Sequence, residues 1–267
     1  MKFRLPNLIL PLAFAALTTA ASSQTGHSLT VTAQDAPSVK LRLAYHVGNQ
    51  QYVRDSLVTD SGGRGRFMGS ERLPAGVYMI VLPDNLFFEF LIDEDQFFDI
   101  RFSKSDPVAT ISFSGSEENT SFVAYQRKWK SLQEEAMKIN GRLGGLQAGS
   151  PEASAARKEL TDQEKKMKQY LKETAEANKG TLLGAIAWSV IPVETPAATV
   201  PPGTNNPDSV TRLISYLYYK DHFFDHIDFS EPGLIRSPVL GGKLDQFFRQ
   251  VVVQMPDSIN KEADRLL

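Results

Sequence analysis

The stretch SFSGSEENTSFVAYQRKWKSL, residues 112–132, holds the change of period that decides the fold. Before Gly115 apolar residues alternate with polar ones; after Ser116 they recur every three or four residues. Ser116 is a good N-cap, and Glu117 and Glu118 stand in the first turn, where the helix dipole favours negative charge. Phe122, Tyr125, Trp129, Leu132, Ala136, Ile139, Leu143 and Leu146 follow at alternating steps of three and four, a sustained heptad seam. GGLQAGSP (144–151) ends that helix, Ser150 caps the next, and Pro151 takes its first position. Ala153, Ala156, Leu160, Gln163, Met167, Tyr170, Thr174 and Ala177 repeat the steps with smaller residues. The pair reads as a long antiparallel helical hairpin, its bulky seam facing a small one. The seam aromatics and methionine read as packing, not as a cofactor slot. KKMK (165–168), interleaved with Glu159, Asp162, Glu164 and Glu173, reads as a solvated face.

Upstream, from His27 to Ser114, the period is two. Val39, Leu41, Leu43, Tyr45 and Val47 alternate with Lys40, Arg42 and His46, which sends one face to a core and the other to water. Turn signals recur at GNQ (48–50), DSGGRG (60–65), LPAG (73–76), PDN (83–85) and DEDQ (93–96). Between them lie VYMIVL (77–82), LFFEFLI (86–92), FFDIRF (97–102) and ATISFS (109–114). Seven or eight short strands of this kind predict an antiparallel β-sandwich. Val77, Met79 and Val81 alternate with Tyr78, Ile80 and Leu82, the pattern of a strand buried on both faces. GRFMGSERLPAGVYMIVL (65–82) resembles the rhythm of small extracellular β-sandwiches akin to prealbumin. Asp93, Glu94 and Asp95 read as a charged hairpin tip, because the spacing of a calcium loop is missing. The fold class is therefore α+β: a β-sandwich domain over 24–115, then a mostly helical domain over 116–267.

Formal net charge is −2, with 29 basic and 31 acidic residues, so no basic surplus exists for nucleic acid. Cysteine is absent, which excludes disulfides, thiolate catalysis and cysteine-type zinc sites within these residues. Lys2 and Arg4, the short apolar run Leu8 to Ala16 and the small residues TTAASSQ (18–24) read as a secretory signal peptide over 1–23. No later stretch is apolar enough for a stable membrane span. The expectation is an exported chain of the periplasm or cell envelope.

A third helix is expected from Thr181 to Ile191, stopping at Pro192. A proline-rich loop follows over 192–208, after which Asp208 caps a helix through Tyr216 to about His226. At its end lies YLYYKDHFFDHIDFS (216–230). His222 and His226 stand four apart, the spacing that sets two imidazoles on one helical face. With Asp225, and Asp221 or Asp228, they could hold a metal for a hydrolase. Phe223, however, stands where a zincin carries its glutamate, and the remaining histidines, His27 and His46, lie in the β region. Packing at a helix C-terminus is the favoured reading. No catalytic residue, cofactor or metal site is assigned, and no Gly-x-Ser-x-Gly elbow is present.

YYKDHFFDHIDFSEPGLIRSP (218–238) resembles a helical region of unknown function in exported Bacteroidota thioredoxin-like proteins. Tyr218, Tyr219, His222, Phe223, Phe224, Asp225, Asp228, Phe229, Ser230, Leu234, Arg236 and Pro238 fit its pattern. His226 stands where that pattern has asparagine, and Glu231, Gly233 and Ile235 also depart. The resemblance implies a β-rich domain first, this helical region second and a Cys-x-x-Cys domain last. It implies a non-catalytic binding or scaffold module whose partner is another envelope protein or the thioredoxin-like domain lacking here, with no cofactor. Ser237 and Pro238 open a helix to about Met255, and Asp257 caps another with Ile259, Ala263, Leu266 and Leu267 on its apolar side. That face ends abruptly, which predicts lost downstream sequence. A carbohydrate-associated envelope component is the remaining alternative. Asp-Ser-aliphatic triplets at 55–57, 208–210 and 257–259 resemble Bacteroidota O-glycosylation sites.

Overall fold

The computed structural model describes residues 25–266, so the predicted signal peptide and Leu267 lie outside the described residues. Among the described residues, eight strands form two four-stranded sheets and seven helices accompany them, an α+β fold. One sheet runs in the order β4-β1-β7-β8, built from β1 (His27–Ala33), β4 (Arg64–Gly69), β7 (Phe97–Phe102) and β8 (Ser112–Ser114). The second runs β3-β2-β5-β6, from β2 (Lys40–Val47), β3 (Gln50–Val58), β5 (Gly76–Val81) and β6 (Phe87–Ile92). Leu29, Val31 and Ile100 of the first sheet share one core with Leu41, Ile80 and Phe90 of the second.

The pairing is not antiparallel throughout. β1 and β7 run parallel, with Leu29 opposite Phe98 and Val31 opposite Ile100. The chain crosses to the second sheet and back twice between them, and a connection of that length lets β7 enter in the direction of β1. A second correction concerns 109–114. Asp106 accepts from Ala109 N at 3.0 Å and Pro107 occupies the first position of a short helix α1 (Pro107–Thr110). The capping pair leaves only Ser112–Ser114 for a strand.

β5 is buried on both faces, as its sequence requires. Tyr78 and Ile80 enter the inter-sheet core, while Val77 and its cross-strand partner Leu91 face the helices. There they meet Phe122 and Tyr125 of α2 (Glu117–Gly144), Leu182 and Ile186 of α4 (Leu182–Ser189), and Leu234. The second sheet thus carries one core on each face. This corrects the reading of His46 as water-facing: it is buried on the covered side, with its Nε2 2.9 Å from Glu89 Oε1.

Backbone contacts seal the junction. Asn119 offers its side-chain amide to β6 as another strand would: its Oδ1 accepts from Leu91 N at 2.7 Å and its Nδ2 donates to Leu91 O at 2.8 Å. Gly48 N donates to Ile235 O at 2.9 Å. A Cβ at Gly241 would lie 2.8 Å from Gly48 Cα and 2.9 Å from Asn49 N, so only glycine admits this approach to the β2–β3 turn.

Asp93 and Glu118 meet at the N-terminus of α4. Asp93 Oδ2 accepts from Leu182 N at 3.3 Å and Glu118 Oε1 from Leu183 N at 2.9 Å. Thr181, as N-cap, accepts from Gly184 N at 3.3 Å. Burial raises both carboxyl pKa values, outweighing the backbone hydrogen bonds that lower them. In the window between the ordinary and the raised values the folded chain holds protons that the unfolded chain has released, so stability falls as pH rises through it. Asp93→Asn with Glu118→Gln keeps an oxygen acceptor for each N–H and removes both charges. Denaturation midpoints of this double variant are expected to fall less than those of the parent as pH rises from the ordinary carboxylate range to neutrality.

α3 (Pro151–Ala177) packs antiparallel on α2. Tyr125 stacks on Tyr170 with centroids 6.1 Å apart, Gln163 Nε2 donates to Leu132 O at 3.0 Å, and Arg142 pairs with Glu159, so one helix ascends as the other descends. Phe122, Tyr125, Leu132 and Ile139 are buried as predicted. In α3 the seam drifts: Ala177 is exposed, and Leu171 and Ala175 are buried with Thr174. A straight helix of 3.6 residues per turn leaves a strict seven-residue repeat in this way. Gln163 is fully buried and its Oε1 has no hydrogen-bond partner. Gln163→Leu is expected to change stability by no more than about 1 kcal/mol in urea denaturation, because loss of the Nε2–Leu132 O bond offsets removal of the buried acceptor.

Candidate functional site

α5 (Pro207–Asp221) is capped by Asn206, whose Oδ1 accepts from Ser209 N at 3.3 Å; Asp208 lies in the first turn and is not the cap. The helix ends at Asp221, five residues short of His226. His222 is its C-cap, donating from N to Tyr218 O at 3.0 Å. Turns then follow, with Asp225 N to His222 O at 3.1 Å and Ile227 N to Phe224 O at 2.9 Å. His222 and His226 therefore do not share a helical face.

Their imidazoles have separate partners. His222 Nδ1 lies 2.6 Å from Asp225 Oδ2, and its ring stacks on Tyr218 with centroids 4.0 Å apart. His226 Nδ1 lies 2.9 Å from Ile191 O, and its ring meets Trp188 edge-on with centroids 4.8 Å apart. A carbonyl only accepts, so Nδ1 of His226 is the donor in this bond. Among the described residues, no group of three or more His, Cys, Asp or Glu side chains is arranged to hold a metal ion.

Of the motif residues, Phe223 and Leu234 are buried, whereas Asp225, Asp228, Phe229, Ser230 and Pro238 are exposed. Phe223 lies 5.2 Å from Phe247 and 5.6 Å from Tyr219 between ring centroids, and Lys243 Nζ sits 5.1 Å from its centroid. Burial lowers the Lys243 pKa. Phe224 bridges this cluster to the core shared with the sheet. Arg236 faces Gly76, where a Cβ would come within 2.9 Å of Arg236 O. Pro238 opens α6 (Pro238–Gln246), which passes into a π-helical turn (Phe247–Val251) and so ends short of Met255. Asp228 accepts from Ser230 N at 2.9 Å and Ser230 Oγ at 2.6 Å, bonds that lower its pKa.

α7 (Pro256–Leu266) begins at Pro256, with Asp257 in its first turn. Its apolar side is covered in part: Ile259 and Leu266 pack against the cluster of Phe223, Phe247, Val251 and Val252. The buried pair Lys220–Glu262, at 2.7 Å, ties it to α5. Among the serines of the three Asp-Ser triplets, Ser56 and Ser209 are exposed and Ser258 is half-buried.

Trp188 is the residue that sequence reasoning missed. In the apolar run LLGAIAWS of α4 a tryptophan reads as core, yet it is 38% exposed and forms a ridge between two clefts. One cleft, about 330 Å³, is lined by Lys168, Lys172, Trp188, Tyr218, Asp225 and His226. Burial is the main cause lowering the Lys168 pKa, with Lys172 adding to it. The other, about 420 Å³, is lined by Glu176, Lys179, Thr181, Trp188, Asp228 and Glu231. An indole flanked by cations, carboxylates and an imidazole can bind a polar ligand by stacking and hydrogen bonds. No helix among the described residues is long and apolar enough to cross a membrane. No protein-family model and no curated protein matches this chain.

Proposed function

We propose that this chain is a non-catalytic binding or scaffold module of the cell envelope, exported by its N-terminal segment. Its partner is another envelope protein, or a thioredoxin-like domain of the kind that the resemblance of residues 218–238 implies. One observation carries the reading: Phe223, Phe224, Leu234 and Arg236 serve as anchors, and the surface beside them presents a tryptophan ridge between two clefts of mixed polar and apolar lining. The chain contains no cysteine, so it exchanges no disulfide itself. The test is retention of a partner from a periplasmic extract by the parent chain and by a Trp188→Ala, Lys172→Glu variant. A specific partner held by the parent and lost by the variant supports the reading. Equal retention, or none, contradicts it.

The exposed indole favours a second reading, a carbohydrate-associated envelope component, because sugar rings stack on such faces. Trp129 is half-buried in the hairpin, so a ligand-induced fluorescence change that disappears in Trp188→Phe reports the ridge. No change with soluble envelope glycans counts against that reading.

A further inference from the structure

We propose that the cleft between α3 and the turns after α5 binds an acidic sugar, a uronate residue of a glycan, whose carboxylate takes the place on Lys168 that Glu194 holds in this structure. The inference rests on the carbohydrate reading of the Trp188 ridge and names the class of sugar. Lys168 and Lys172 stand one turn apart on the same face of α3, and both line the cleft with Trp188, Tyr218 and His226. Burial, and then the neighbouring Lys172, lower the Lys168 pKa, so an anion beside the pair is favourable. Glu194 supplies one: its carboxylate pairs with Lys168. The two partners differ in exposure. The Lys168 side chain is 22% exposed and that of Glu194 is 76% exposed. The cation is thus set in the wall, while its anion comes from residues 192–200, which belong to no helix or strand. An ion pair with so exposed a partner contributes little and exchanges readily with a solute of the same charge. The other carboxylate at this cleft, Asp225, is engaged by His222 Nδ1 at 2.6 Å.

Glu194 shows the chemistry that Lys168 accepts, a carboxylate. The indole decides what carries it. Trp188 presents a partly exposed ring beside the same lysines, and the C–H face of a sugar ring stacks on such a surface. The cleft, about 330 Å³, lies at the small end of ligand pockets, which suits a short glycan segment and not a folded partner. A ring bearing a carboxylate meets both demands at once. A neutral sugar leaves Glu194 on Lys168, and an acyclic acid leaves the indole bare. Exchange of Glu194 for the ligand also conserves the charge of the cleft, so Lys168 keeps an anion in both states. Across the ridge the lining changes sign: Glu176, Asp228 and Glu231 face a single lysine, Lys179. That side repels an acid, so the charge pattern directs the ligand to the Lys168 side of the indole.

Calorimetric titration of the full chain with digalacturonate and with its dimethyl ester tests this. The acid is expected to bind at least about tenfold more tightly than the ester, which keeps the rings and lacks the charge. Lys168→Met keeps the apolar stem of the side chain and is expected to weaken binding of the acid at least about tenfold. Glu194→Ala is expected to strengthen it about threefold or more, because the competing carboxylate is gone. That variant gains binding, so misfolding cannot imitate its effect. N-acetyl-diglutamate, which carries carboxylates without a ring, is expected to bind at least about tenfold more weakly than digalacturonate. An ester bound as tightly as the acid keeps the carbohydrate reading and overturns this inference. A diglutamate bound as tightly overturns it too, as does binding of the acid indifferent to Lys168→Met and Glu194→Ala. Binding of neither sugar overturns it together with the carbohydrate reading.

Discussion

Phe247→Ala is expected to lower folding stability by about 3–5 kcal/mol, read as a shift of the urea midpoint with an unchanged slope. Phe247 is fully buried, and its ring centroid lies 4.8 Å from Phe224, 5.2 Å from Phe223 and 5.3 Å from Phe248. Removing the ring forfeits the burial of the side chain and several aromatic contacts, each contributing roughly 0.5–1.5 kcal/mol beyond area. The surrounding segments come from α5, the turns after it, the π-helical turn and α7, so collapse into the void would require four elements to move together. Phe229→Ala is the control. That side chain is 61% exposed, and its loss is expected to change stability by no more than about 0.5 kcal/mol. Similar losses from the two variants would contradict the central packing role given to Phe247.

Asn119→Ala is expected to cost about 2–4 kcal/mol, because it leaves two buried backbone groups of Leu91 unpaired, each worth roughly 1–3 kcal/mol. Leu91 and Asn119 are both almost fully buried, so water cannot replace the lost partner. Asn119→Asp is expected to be worse. The carboxylate can still accept from Leu91 N, but it faces Leu91 O without a donor and brings a charge into the junction. Hydrogen exchange gives a local reading: the Leu91 amide loses protection in Asn119→Ala before the centre of β5 does. Unchanged protection at Leu91 would show that Asn119 does not serve as the missing strand.

Local features were legible because they depend on a few neighbouring residues. Ser116, Ser150 and Pro151 mark helix starts by capping chemistry alone, and each stands where its sequence sets it. The α2 seam follows from periodicity, and the double-faced strand 77–81 already required a cover on its second side. Features that depend on distant segments were not legible. The parallel pairing of β1 with β7 rests on the path of the chain through the other sheet. Val123, off the hairpin seam, enters the inter-sheet core because α2 crosses the sheet there. Asn119 reads as an ordinary first-turn residue until β6 is beside it. The histidine spacing predicts a shared face only if the helix runs through His226, whereas α5 ends at Asp221 and the chain turns there, with Phe223 and Phe224 packed on Phe247. Trp188 was hidden by the apolar character of its own helix.

Native-state hydrogen exchange across a denaturant series tests the two-faced sheet most directly, with β5 amides (Val77–Val81) followed beside those of α4 (Leu182–Ser189). If one sheet carries a core on each face, the slowest amides of both elements exchange with the same free energy and the same denaturant dependence. Opening of α4 at a lower free energy, with β5 still protected, would contradict a shared core and divide the chain at Gly115 instead.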